Sequence, residues 1–389
     1  MSERESGPGR KPPRPGVDPS GAVSFPIFQA ATYAFPDTAG IEAYHEDPSS
    51  HYFYSRYANP TCDACARALA ALEGGEDALL FSSGMGAIAS AVFSFLRSGD
   101  EILSMSDVYG GTLRLFQDVL PRFGVAVTWF GASDAVAAIR SASPAARLVY
   151  LESPTNPTLE IVDLAAAARA ARERGLVTLI DGTFASPVNQ KPLSLGIDVV
   201  IHSATKYLGG HSDLTAGAVV GSSAHLARIH AAMKVFGTNL DPFAAFLVHR
   251  GLKTLEVRVR RQCESAMRIA SVLAEHPRVR RALYPGLASH PGHEVARRQM
   301  SGFGGVVTFE VKGGLEGARR VMDRLRVVLN APSLGSVESL ASIPVLTSHE
   351  GFSAEALARA GVTEGMIRLS VGVEPVEDLL ADLDGALSE

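Results

Sequence analysis

The sequence predicts an α/β protein: a mainly parallel sheet with helices on both faces, followed by a smaller α+β domain. Two observations carry this. Between Thr61 and Val259, short continuous Val/Ile/Leu runs alternate with helical patterns, and strands that are apolar on both sides belong in a sheet covered on both faces. After Val259 the alternation gives way to a long helical stretch, a strand-like run and a terminal helix. The chain has 389 residues, 46% of them apolar, enough for two sizeable cores.

Taken in order, residues 1–20 are rich in Pro, Gly, Arg and Glu and lack the apolar core of a signal peptide; they read as a flexible leader. Residues 78–80 form an apolar run that enters the Ser/Gly-rich turn Phe81-Ser82-Ser83-Gly84-Met85-Gly86, and residues 87–96 continue as a helix. Strands are expected at 101–105, 125–130, 148–151, 176–180, 199–201 and 218–220. The expected organisation is a leader and arm over 1–60, a main domain over 61–259 and a C-terminal domain over 260–389. The last of these has a helix over 260–273, a strand over 305–309 and a closing helix over 376–387.

Composition excludes several function classes. The formal net charge is −5, from 36 basic and 41 acidic residues, and no basic run is interleaved with aromatics as a nucleic-acid surface requires. The longest apolar stretches fall short of a membrane span. A cytoplasmic protein that binds neither nucleic acid nor membrane is expected. Three cysteines, Cys62, Cys65 and Cys263, are an odd number and argue against a disulfide framework. Cys62 and Cys65 are spaced as a C-x-x-C, but there is no second pair and no His cluster at finger spacing, so a partly buried thiol pair is expected and no metal site.

The chemistry is concentrated at His202-Ser203-Ala204-Thr205-Lys206-Tyr207, where a lysine leaves an apolar strand just after two hydroxyl residues. The run 176–180 delivers Asp181 to the same sheet edge, where α/β proteins gather their ligands. An amine and a carboxylate so delivered suit pyridoxal 5'-phosphate: the amine bonds the cofactor's carbonyl, and the acid keeps the ring nitrogen protonated. The turn at Gly84 and Met85 adds free backbone N–H groups at a helix start, which attract a phosphate. Purely structural roles stand beside these: a surface lysine, an Asp181 helix cap and a simple strand-to-helix connection.

A set of motifs then appears in order: Tyr54-Ser55-Arg56-Tyr57 with Asn59-Pro60-Thr61, Ser82-Ser83-Gly84-Met85, Tyr109-Gly110-Gly111-Thr112, Glu152-Ser153-Pro154-Thr155-Asn156-Pro157, Ser203-Ala204-Thr205-Lys206-Tyr207 and Arg368-Leu369-Ser370-Val371-Gly372. From about Gly21 to the C-terminus the chain resembles the Cys/Met-metabolism (trans-sulfuration) enzymes. These include cystathionine γ-synthases and γ-lyases, methionine γ-lyases and O-acylhomoserine sulfhydrylases. The resemblance implies the aspartate-aminotransferase-like fold, known as fold-type I. It implies γ-elimination or γ-replacement on a sulfur amino acid or O-acylhomoserine, with cystathionine γ-synthase or γ-lyase chemistry preferred over methionine γ-lyase or sulfhydrylase chemistry. A scaffold that kept the fold and lost the chemistry is the rival from another class.

The resemblance also implies residue roles. Lys206 holds the cofactor and moves protons, Tyr109 stacks on the ring and takes a proton from the substrate amine, and Asp181 meets the ring nitrogen. Ser203, Thr205, Gly84 and Met85 hold the phosphate. Tyr54 and Arg56 reach it from a neighbouring subunit, the alternative being an aromatic packing patch. A dimer with shared sites follows, with a tetramer as the family's usual state. Arg368 holds the substrate α-carboxylate, with Asn156 and Ser333 nearby, and Arg114 matches an arginine near the distal carboxylate of cystathionine-type substrates. Four positions depart from common family patterns: Cys62, where relatives tend to have Arg; Gly111, where well-known methionine γ-lyases have Cys; Gly182, where many relatives have Asn; and Pro332, where cystathionine γ-lyases and bacterial synthases commonly have Glu but plant cystathionine γ-synthases share the Ala-Pro-Ser of this chain.

Overall fold

The computed structural model describes residues 21–388, so the leader expected over 1–20 lies outside the described residues. The larger sheet has seven strands: β1 (Asp77–Phe81), β2 (Glu101–Met105), β3 (Ala126–Phe130), β4 (Ala146–Glu152), β5 (Val177–Asp181), β6 (Val199–His202) and β7 (Gly217–Gly221). They lie in the order β1-β7-β6-β5-β4-β2-β3. β7 alone runs against its neighbours, pairing antiparallel with both β1 and β6; the other pairs are parallel. The sheet is therefore mainly parallel, as the apolar runs imply.

Both faces are covered, and the strands show how. Side chains alternate across a strand. In β7, Val219 joins one buried cluster with helices Gly84–Phe95 and Leu164–Glu173, while Ala218 and Val220 join another with helices Pro60–Glu73 and Pro242–Leu252. Cys65 is buried in that second cluster and Cys62 packs against it. All three cysteines are free thiols, and burial pushes the Cys62 thiol up to about 12, which makes it unreactive. The C-x-x-C is packing.

The smaller sheet has five strands: β8 (Val279–Leu283), β9 (Val306–Val311), β10 (Leu329–Asn330), β11 (Leu340–Ser342) and β12 (Met366–Ser370), in the order β10-β11-β12-β9-β8. The helix expected from residue 260 begins at Leu255 and runs unbroken to Glu275. Leu255 and Val259 pack with the large sheet's cluster, and Ala266, Ile269, Ala270 and Leu273 pack with the small sheet's cluster. One rigid helix thus spans the change of pattern where a linker would otherwise stand. No helix among the described residues is long and apolar enough to cross a membrane.

Candidate active site

The carboxyl ends of β4, β5 and β6 carry Glu152, Asp181 and His202, and the chain reaches Lys206 four residues beyond β6. Together with the turn before helix Gly84–Phe95 and β12 of the second sheet, they enclose a cleft of about 500 Å³. Gly84, Met85, Tyr109, Asn156, Asp181, Ser203, Thr205, Lys206, Ser333 and Arg368 all line it. Ten residues expected at the site thus converge from seven separate segments of sequence.

Lys206 Nζ donates to Ser333 Oγ at 2.7 Å. Burial, reinforced by the Arg368 guanidinium and opposed by Asp181, pushes this amine down to about 8, so an appreciable neutral fraction exists near physiological pH. Ser333 holds the left-handed φ of 101°, an unusual conformation for a side-chain-bearing residue, and in it both its hydroxyl and its carbonyl face the site. Its carbonyl accepts from Arg368 Nη2 at 2.9 Å, and Arg368 Nη1 donates to Asn156 Oδ1 at 2.9 Å. Arg368 is buried, its Nε has no partner, and no carboxylate pairs with it among the described residues. A buried guanidinium without an anion is costly and is poised for a ligand carboxylate.

At the other end, Ser83 caps helix Gly84–Phe95 by accepting Gly86 N–H at 3.0 Å. The N–H groups of Gly84 and Met85 donate to nothing among the described residues, which is the free donor pair a phosphate requires. The Ser203 hydroxyl lies against Gly84: a Cβ on that glycine would stand 3.0 Å from Ser203 Cβ and 3.1 Å from its Oγ. Thr205 is more committed, since its hydroxyl donates to Ala216 O at 3.2 Å and accepts Ala216 N–H at 2.9 Å. Asp181 accepts Thr183 N–H at 2.9 Å. Burial raises the Asp181 carboxyl, while Thr183, His202 and Lys206 pull it down.

These features fit pyridoxal phosphate: a free N–H pair and hydroxyls for an anion, a carboxyl group for a ring nitrogen, and a desolvated amine for a carbonyl. Three expected residues lie apart. Tyr54 and Arg56 do not line the cleft; Arg56 donates to Lys234 O and sits over the Tyr54 and Tyr57 rings at 5.3 and 5.0 Å. Arg114 ends the short helix Gly110–Arg114, is exposed, and does not line the cleft either. Tyr109 does line it, and a Cβ on Gly111 would stand 2.7 Å from the Tyr109 ring and 2.9 Å from Met85 Sδ, so Gly111 lets Tyr109 lie close to the backbone. Glu152, Thr183, Phe184, Thr215 and Ser348 line the cleft without having been expected there. Glu152 stands in a quoted motif and Thr183 and Phe184 just beyond an expected strand end, whereas Ser348 has no such signal in the sequence.

Residues 14–388 match the model of the family described as Cys/Met metabolism PLP-dependent enzyme. The chain is 43% identical to an L-methionine gamma-lyase of Pseudomonas putida, covering 96% of this chain and 95% of that protein. It is 42% identical to a cystathionine gamma-lyase of Bacillus subtilis, over 96% of each chain. Among solved structures, a cystathionine gamma synthase of Xanthomonas oryzae pv. oryzae in complex with aminoacrylate and cysteine superposes with a TM-score of 0.89, at 40% identity, covering 96% of this chain and 95% of that one.

Proposed function

The chain belongs to the Cys/Met-metabolism family of pyridoxal-phosphate-dependent enzymes, and from that premise we propose that it carries out γ-elimination or γ-replacement, with cystathionine or an O-acylhomoserine plus cysteine as preferred substrates. The observation that carries this reading is a buried Arg368 without an anion beside a desolvated Lys206: a receptor for an α-carboxylate next to a base for the adjoining carbon.

When bound, pyridoxal phosphate withdraws electrons from the α- and β-carbons of the substrate. Arg368 holds the α-carboxylate, and Asn156, bonded to its Nη1, fixes the guanidinium plane. That anchor orients the Cα–H bond. Tyr109, over the cleft, takes the proton of the incoming amine. As a free amine, Lys206 Nζ would remove the Cα proton and, having given that proton up, take one from Cβ, so that the γ-substituent can leave. Ser333 Oγ holds Nζ between these positions. In replacement a thiol then adds at Cγ; in elimination water hydrolyses the unsaturated product to an α-keto acid and ammonia.

Tyr54 and Arg56, remote from their own chain's cleft, are assigned to the phosphate of a neighbouring subunit, which makes a dimer obligatory and a tetramer the expected assembly. Helix Thr38–Glu46 of the same arm buries no residue against its own chain, as an arm that packs on a partner should.

The test is incubation of the holoenzyme with cystathionine, methionine, O-succinylhomoserine and O-acetylhomoserine, with and without cysteine, with products identified by mass spectrometry. Preference for cystathionine or a homoserine ester is expected; a preference for methionine would overturn the substrate ordering. Arg114→Ala adds a second arm. Because Arg114 is exposed, its attraction to a distal carboxylate is worth about 0 to 1 kcal/mol, so a loss of up to roughly fivefold is expected for cystathionine and O-succinylhomoserine alone. An equal loss on all four substrates would make Arg114 structural.

A further inference from the structure

Glu152, the last residue of β4, is 2% exposed and lines the cleft, yet no step above uses it. Its Oε2 accepts Tyr109 N–H at 2.8 Å. Its Oε1 is buried with no hydrogen-bond partner among the described residues. In the parallel register of β4 and β5, Glu152 stands directly opposite Asp181.

The titratable groups facing this carboxyl are of one kind, and the backbone N–H groups of Tyr109 and Asn156 are the donors that act against them. Asp181 approaches from β5, Asp107 from the segment after β2, and Tyr150 from its own strand; all are acids. Lys206 and His202 act on Asp181, which also accepts Thr183 N–H, and neither is among the groups that act on Glu152. Two neighbouring carboxyl groups withdrawn from water do not both ionise cheaply, and the one with positive partners keeps its charge.

We propose that Glu152 is a positioning residue working as a neutral acid: Oε2 fixes the start of the helix behind Tyr109, Oε1–H is left to an acceptor in the cleft, and Asp181 is the sole anion of the pair. Burial and the Asp181 charge both push the Glu152 carboxyl well above its ordinary range, which agrees with the geometry. The proposal rests on the Asp181 assignment made above.

The sign of the pH effect is fixed. A glutamic acid protonated when folded and ionised when unfolded takes up a proton on folding, so its contribution to stability falls as pH rises above the unfolded value of about 4.3. Glu152→Gln removes that proton uptake and keeps both an acceptor for Tyr109 N–H and a donor toward the cleft. The apoprotein's Tm is measured from acid to mildly alkaline pH for wild type and Glu152→Gln, and pyridoxal-phosphate affinity is measured by absorbance titration. The gap in Tm should widen in favour of Glu152→Gln as pH rises. Cofactor affinity should stay within about threefold of wild type in Glu152→Gln and weaken by about tenfold or more in Glu152→Met, which has no donor.

Parallel Tm curves, or a glutamine variant as impaired in cofactor binding as the methionine one, would overturn the proposal. Glu152→Met, also uncharged, repeats the stability comparison if the glutamine variant does not fold. Asp181→Asn separates the two readings: wild-type cofactor affinity in that variant overturns both, whereas failure of the Glu152 arms alone leaves the Asp181 assignment standing.

Discussion

Lys206 and Arg368 put two positive charges into one buried cleft, and the lysine is the one that yields. Burial brings the arginine down only to about 10, against about 8 for the lysine, so Arg368 remains charged at neutral pH while Lys206 can act as a base. The same shift is a stability statement. Below pH 8 the folded apoprotein carries a poorly solvated ammonium that the unfolded chain solvates freely. Between about 8 and the lysine's ordinary value near 10.4 the unfolded state binds more protons, so stability rises with pH. Lys206→Met should therefore stabilise the apoprotein below pH 8 by on the order of 3 kcal/mol, with the gain fading toward pH 10. Chemical denaturation at pH 7 and pH 10 checks this; a pH-independent difference would mean that the lysine is not desolvated. At this scale the sequence marked Lys206, Asp181 and Arg368 because each leaves or occupies an apolar strand. Glu152 stood in a quoted motif yet gave no signal of its own, because its character comes from β5 across the register and from Tyr109 far along the chain.

The elements were legible where a strand is buried on both faces. β2, β4, β5 and β6 read as mostly apolar runs because both faces are covered. The reversed direction of β7 was not legible, since an apolar run has no polarity in composition. Nor was the start of helix Leu255–Glu275: its apolar periodicity serves two clusters at once, and the changeover looked like a boundary. A functional element with little tolerance is the turn into helix Gly84–Phe95. Gly84→Ala would bring a methyl to 3.0 Å from Ser203 Cβ, a shift of a few tenths of an ångström at the proposed anion site. Cofactor affinity should fall about tenfold, the equivalent of one good charge-assisted contact, while far-ultraviolet circular dichroism keeps its wild-type form. Undiminished affinity would place the phosphate elsewhere.

For the whole molecule, the proposed assembly rests on Tyr54 and Arg56, which the cleft does not contain. If Arg56 serves the neighbouring subunit's phosphate, Arg56→Ala and Lys206→Ala homodimers are both impaired, but a mixed dimer contains one site with both wild-type residues. Activity should return on mixing, toward a quarter of the wild-type level at equal proportions with random exchange, that is, one intact site in half of the dimers. No recovery despite demonstrated subunit exchange would remove the cross-subunit assignment. The central claim is that Lys206 is the amine that bonds the cofactor. Borohydride reduction of the holoenzyme, followed by proteolysis and mass spectrometry, tests it most directly. The predicted result is loss of the visible absorbance with the cofactor fixed to the peptide containing Lys206; fixation at any other lysine, or none at all, would contradict it.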